Sequence, residues 1–167
     1  MESDIDGTFP LRSNGHMIEP MAPGFEIARG VWRHLDTLNM TALTEFVPVR
    51  GLRVDVIALS AKGEIWIVEC KSSLTDFRTD TKWQGYLEWC DRFFWAVPKD
   101  FPVEVLPNET GLIIADRFDA AIVREAPLEK MAAARRKAMT LKLARTAMRR
   151  QLGWLEPDLG VPDSAAD

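Results

Sequence analysis

Two short runs, Arg53-Val54-Asp55-Val56-Ile57-Ala58 and Ile65-Trp66-Ile67-Val68-Glu69-Cys70-Lys71, decide how this chain is read. Both are rich in β-branched and aromatic residues and short enough to be strands. Ser60-Ala61-Lys62-Gly63 lies between them and suits a hairpin connection. Side chains alternate faces along a strand, so Ile65, Ile67, Glu69 and Lys71 point one way. Glu69 and Lys71 are then neighbours, roughly 7 Å apart along the backbone. Pairing of the two strands brings Asp55 within reach of both. Carrying these ionisable groups into an apolar sheet costs several kcal/mol per charge unless they pair or bind a metal.

Outward from this pair, the periodicity changes several times. Phe25, Ala28, Val31, Trp32 and Leu35 recur at helical spacing and predict a helix over 24–38. A further β-rich run covers 44–49, and the two runs quoted above extend to 53–59 and 64–71. A helix is expected over 80–90, with Trp83, Tyr86, Leu87 and Cys90 on one face. Apolar runs at 92–97 and 111–115 read as strands. Residues 127–152, rich in Ala, Leu, Met, Lys and Arg, predict one long basic helix. The order α-β-β-β-α-β-β-α implies an α/β (α+β) domain with a mixed sheet flanked by helices. Residues 1–23 hold Gly7, Pro10, Gly15, Pro20 and Pro23 without periodicity and are expected to form a mobile leader; Met17 and Met21 could each begin a protein. One domain is expected over 24–152, and residues 153–167 are expected to be an acidic, flexible tail.

With 167 residues, 47% hydrophobic and 28% charged, the chain is long enough for a single core and is neither collagen-like nor disordered. A net charge of −4 excludes a uniformly basic protein that coats nucleic acid. The charge is unevenly divided. Residues 1–116 are acidic, residues 117–152 carry ten Lys and Arg against three Asp and Glu, and the last fifteen carry four acids and no base. A local patch for a polyanion therefore remains open. Cys70 and Cys90 form no CxxC or Cys/His cluster and read as buried thiols of a cytoplasmic protein. No apolar run approaches the ~18 residues that span a bilayer. Lone His34 and His16 lack a metal-site pattern.

Two carboxylates beside a backbone carbonyl make an all-oxygen site suited to Mg²⁺ or Mn²⁺. A neighbouring lysine can deprotonate or orient water, or offset charge on phosphate, and these are the parts for hydrolysing a phosphodiester. Asp55 followed by Glu69-Cys70-Lys71 resembles the PD-(D/E)XK signature of restriction-endonuclease-like nucleases. More specifically, the stretch from Arg29 to Leu152 is similar to the MmcB-like DNA repair family. That likeness is carried by Leu43-Thr44-Glu45-Phe46, Arg53 to Ile57, Gly63 to Ser72, Asp76-Phe77-Arg78, Lys82-Trp83, Tyr86 to Val97 and Ala133-Arg135-Arg136-Lys137. Val54 stands where the signature name has proline.

The resemblance implies Asp55, Glu69 and Lys71 as catalytic residues, with Asp55, Glu69 and the Cys70 main-chain carbonyl as metal ligands. It also implies a further acid, for which Glu26 on the first helix and Glu45 on the first strand compete. The plain reading of Asp55, Glu69 and Lys71 is a strand-to-strand ion-pair set, and that of Glu26, Arg29 and Arg33 is helix-surface pairing. Lys82 and Gln84 stand where related nucleases touch phosphate, or are ordinary surface residues. Trp66, Trp83, Trp89 and Trp95 fit core packing better than base stacking. On the last helix Arg135, Lys142, Arg145 and Arg149 share a stripe expected to face DNA, while Ala134, Leu141, Met148 and Leu152 are expected to dock. The resulting expectation is a Mg²⁺- or Mn²⁺-dependent nuclease acting on DNA in repair, with DNA and DNA repair proteins as partners, no membrane, and an oligomeric state left open. The alternative is a non-catalytic DNA-binding or adaptor module that keeps the fold.

Overall fold

The computed structural model describes residues 23–159; nearly all of the expected leader and the end of the expected tail lie outside the described residues. A six-stranded mixed sheet forms the middle layer. Its strands are β1 (Met40–Val49), β2 (Leu52–Ser60), β3 (Ile65–Cys70), β4 (Arg92–Val97), β5 (Gly111–Ala115) and β6 (Ala120–Arg124). They lie side by side in chain order. β1, β2 and β3 are antiparallel neighbours, β3, β4 and β5 run parallel, and β6 returns antiparallel to β5.

Helix α1 (Pro23–Thr37) covers one face. Its Ile27, Ala28, Val31 and Leu35 pack on Val56, Val68, Phe94 and Ile113 of the central strands. Gly30 permits a close approach: a Cβ there would lie 1.9 Å from the Asp116 carbonyl oxygen, in the turn between β5 and β6. Asn39, in the left-handed region at φ 57°, turns the chain from α1 into β1. The opposite face carries Ile57, Ile65, Ile67, Trp95 and Val97 beneath Met139 and Leu143 of α3 (Ala133–Leu155). Tyr86 and the half-buried Phe77 complete that layer. Phe77 comes from the short α2 (Leu74–Thr79), and Tyr86 from a run of 3-10 turns over Trp83–Trp89.

The mixed sheet between helices follows the expected plan, and β4 and β5 have the predicted bounds. Several local expectations are corrected. The helix predicted over 80–90 is instead α2 at Leu74–Thr79 followed by the 3-10 run. Ser73 accepts from the Asp76 N–H and caps α2, a signal outside the apolar periodicity. β6 was absent from the predicted order because its burial alternates and only Ala120 is buried. α3 starts six residues later and ends three later than predicted.

The docking face of α3 is also different from the one expected. Met139, Leu143 and Thr146 are buried, whereas Leu141, Met148 and Leu152 are exposed. Two arginines flank the buried stripe. Arg136 holds the Asp91 carboxylate at 2.5 and 2.6 Å, and Arg150 donates to the carbonyl oxygens of Thr44 and Glu45. Their guanidinium groups satisfy carboxylate and carbonyl oxygens at the edges of the core.

Candidate functional site

β2 and β3 pair Val56 with Val68, which carries the register on to Asp55 beside Glu69. Thr44 and Phe46 of β1 pair with Val56 and Val54, so Glu45 falls opposite Asp55 on the other side. Three carboxylates from three adjacent strands thus share one row. The two central ones are cross-linked through the backbone. Asp55 Oδ2 accepts from the Cys70 N–H at 2.8 Å, and Glu69 Oε1 accepts from the Asp55 N–H at 3.2 Å. These bonds stand at the end of the β2–β3 ladder, where the strands begin to part. Each carboxylate keeps a second oxygen outside them.

Lys71 follows directly on β3 and is buried. Its Nζ lies 3.7 Å from Glu69 Oε2 and 2.8 Å from Asp80 Oδ2. Asp80 was missed by sequence reasoning. It sits in the link after α2, and nothing in its spacing distinguishes it from other surface acids. Glu45, at φ 50° in the left-handed region, pairs with Arg53 at 2.9 Å across the rim. Such a backbone conformation costs a non-glycine residue about 1–3 kcal/mol, and the Arg150 bonds to the carbonyls of Thr44 and Glu45 hold it in place.

These groups border a cavity of about 470 Å³, with Asp55, Glu69, Cys70 and Lys71 on its wall and Glu45, Arg53, Asp80 and Lys82 among its other lining residues. Burial, then the neighbouring Asp55 charge, pushes the Glu69 carboxyl up to about 8. Burial likewise raises Asp55 despite its backbone bond to Cys70. Burial works to lower the Lys71 ammonium, but the Asp80 hydrogen bond and the surrounding acids outweigh it and hold Lys71 above its ordinary value. The cavity wall therefore combines a charged lysine with carboxylates that lack enough positive charge.

The remaining sequence candidates are dispersed. Lys82 is exposed on the cavity rim, whereas Gln84 lines a separate hollow beside Trp83 and Asp91. Glu26 is not among the residues bordering the cavity, although its neighbours Phe25 and Ala28 are. Among the described residues no group of three or more His, Cys, Asp or Glu is arranged to hold a metal ion.

The cationic stripe of α3 is not an open row beside the carboxylates. Arg135 pairs with Glu88 at 3.3 Å and lies over the Trp89 ring. Lys142 donates to the Pro48 carbonyl. Arg145 is exposed and Arg149 half-buried, and none of the four borders the cavity. Trp95 is fully buried and packs edge-on against Phe77, Trp83 and Phe93, while Trp66 packs on Phe94. These tryptophans are core residues.

A mixed sheet layered between helices, with Asp55 and Glu69-Cys70-Lys71 at the parting of two central strands, defines a restriction-endonuclease-like protein. Residues 20–156 match the family described as DNA repair protein MmcB-like. The chain belongs to that family. It is 57% identical to a protein of unknown function from Silicibacter pomeroyi, over 83% of this chain and 94% of that one, with a TM-score of 0.81. No curated protein matches. No described helix is long and apolar enough to cross a membrane.

Proposed function

We propose that this protein is a metal-dependent nuclease that hydrolyses DNA phosphodiester bonds during repair. The observation that carries the reading is the set of half-buried Asp55 with buried Glu69 and Lys71 on one cavity wall, in a chain of a DNA repair family. The donor set fits a hard divalent cation. Its atoms are all oxygens, and Mg²⁺ is commonly held by one or two carboxylates with water and phosphate completing the shell. The strongly raised Glu69 carboxyl marks a place where positive charge is wanting.

Asp55, Glu69 and the Cys70 carbonyl would hold Mg²⁺ or Mn²⁺, with Glu45 the nearer of the two extra acids. Bound there, the ion supplies an activated water and charge neutralisation at phosphorus. Lys71 stays charged beside Glu69 and Asp80, so its part is to offset negative charge on the phosphate rather than to remove a proton. Arg53 and Lys82, exposed at the rim, are placed to meet flanking phosphates. Arg135 and Lys142 are engaged with Glu88, Trp89 and the Pro48 carbonyl, and we assign backbone contact on α3 to Arg145 and Arg149.

The test is cleavage of plasmid, single-stranded and branched DNA with Mg²⁺ or Mn²⁺. Glu69→Gln and Lys71→Met are each expected to lower the rate by roughly 100-fold or more, the scale for losing one charge-stabilising group. Equal activity in wild type and both variants would overturn the assignment. A second reading, a DNA-binding or adaptor module without turnover, draws on the lack of a three-ligand cluster among the described residues. It is favoured if the protein binds DNA in a salt-dependent way, neither metal supports cleavage, and Lys71→Met leaves binding unchanged.

A further inference from the structure

A second concavity adjoins the carboxylate cavity. α1 and the C-terminal half of α3 stand as two walls over residues 42–44 of β1, enclosing a groove of about 510 Å³. α1 contributes Phe25, Arg29 and Trp32, spaced four and three residues apart and so on one stripe. α3 contributes Arg150, Gln151 and Trp154. Trp154 is 84% exposed, Trp32 51% and Phe25 46%, a concentration of uncovered aromatic surface that the core does not use. Phe25 and Thr44 line both concavities, so the groove lies next to the cavity that holds Asp55 and Glu69.

Arg29 and Arg150 line the groove itself, Arg33 is exposed on α1, and residues 141–155 of α3 carry Lys142, Arg145, Arg149 and Arg150 with no acid before Glu156 at the helix end. Cations therefore outnumber acids around the groove. A purely apolar partner would gain nothing from this rim. A strand with a polyanionic backbone and flat apolar faces satisfies both features at once, because aromatic planes accept bases and nearby arginines accept phosphates. Paired bases are hidden inside a duplex and cannot reach such walls.

We infer that the groove between α1 and α3 binds unpaired nucleotides, stacking bases on Trp32 and Trp154 and leading the strand across Phe25 to the carboxylate cavity. This rests on the nuclease reading for its direction, and it names the substrate class as DNA with a single-stranded segment. It also assigns a ligand to Trp32, which the helical spacing groups with the apolar residues of the first helix, and to Trp154, which falls in the expected tail.

The experiment measures binding of the full chain with metal removed by EDTA, so that cleavage plays no part. Fluorescence anisotropy is followed for a labelled oligothymidylate of about 20 nucleotides and for a duplex of equal length. Trp32→Ala and Trp154→Ala are each expected to weaken single-strand binding by roughly 5- to 100-fold, the range for losing one stacked base, with duplex binding changed by less than about twofold. Trp32→Phe and Trp154→Phe retain most of the affinity, and oligothymidylate quenches the intrinsic tryptophan fluorescence of the wild type. Because Trp154 is almost wholly exposed, its alanine variant keeps the fold, which circular dichroism checks. Unchanged single-strand affinity in both alanine variants overturns the inference, as does equal loss on duplex. Sedimentation supplies one more overturning result: a wild-type dimer that Trp154→Ala splits without altering DNA affinity makes this face a self-association surface. Stacking loss together with absent cleavage supports the groove and overturns the nuclease reading alone.

Discussion

In the proposed nuclease, Glu69 is the side chain on which most of the site's chemistry depends. It is 3% exposed, bonded to the backbone of one strand neighbour and held near a lysine that is shared with Asp80. Its carboxyl is raised to about 8, so the metal-free protein carries it protonated at neutral pH. A divalent cation must displace that proton. Mg²⁺ or Mn²⁺ affinity is therefore expected to rise with pH up to about 8 and level off above it. Calorimetric titration in buffers of different ionisation enthalpy checks this, and Glu69→Gln abolishes the proton release. Asp80→Asn removes the 2.8 Å partner of Lys71 and is expected to slow cleavage by about tenfold, a smaller loss than Lys71→Met. Lys71 and Glu69 were legible because strand alternation puts them on one side. Asp80 was not, because its pairing depends on how the chain returns after α2.

Among the elements, α3 shows how a basic helix can be fixed by its own cations. Asp91 is 2% exposed and accepts from the Ile65 and Met131 N–H groups as well as from Arg136. Burial opposes its charge, yet the Arg136 hydrogen bonds and the two backbone donors hold its carboxyl below the usual range. Arg136→Ala leaves that carboxylate uncompensated and is expected to cost about 3–5 kcal/mol in urea unfolding. Arg135→Ala removes solvent-facing contacts, the pair with Glu88, a bond to the Glu88 carbonyl and the stack over Trp89, and is expected to cost about 1 kcal/mol. Adjacent arginines thus differ several-fold, and composition could not separate them. The helix itself was legible from its Ala, Leu, Met and Lys content. Its seated face was not, because the apolar residues Leu141, Met148 and Leu152 turn outward while Met139 and Leu143 turn inward.

For the whole molecule, the buried carboxylates set the pH response. Glu69 binds its proton more tightly in the folded chain than its ordinary value of 4.5 allows when unfolded. Between about 4.5 and about 8 the folded state holds the extra proton, so metal-free stability falls as pH rises through that window and is level above it. Asp55 acts in the same direction. Asp91 acts oppositely: its contribution is present above the ordinary carboxylate pKa and is lost as acid carries the pH down through its lowered value. Urea midpoints taken from pH 5 to pH 9 are expected to fall and then plateau, and Glu69→Gln flattens the slope. The sequence by itself determined the mixed sheet, the hairpin that brings Asp55 to Glu69, and the family, since alternation and local spacing act over a few residues. Tertiary structure decided which arginines are spent on the core, that Asp80 holds Lys71, and that Trp32 and Trp154 line one groove beside β1. Those outcomes depend on how separate elements meet, from Asp80 returning to Lys71 across α2 to Arg150 reaching Thr44 more than a hundred residues away, and no local periodicity records them.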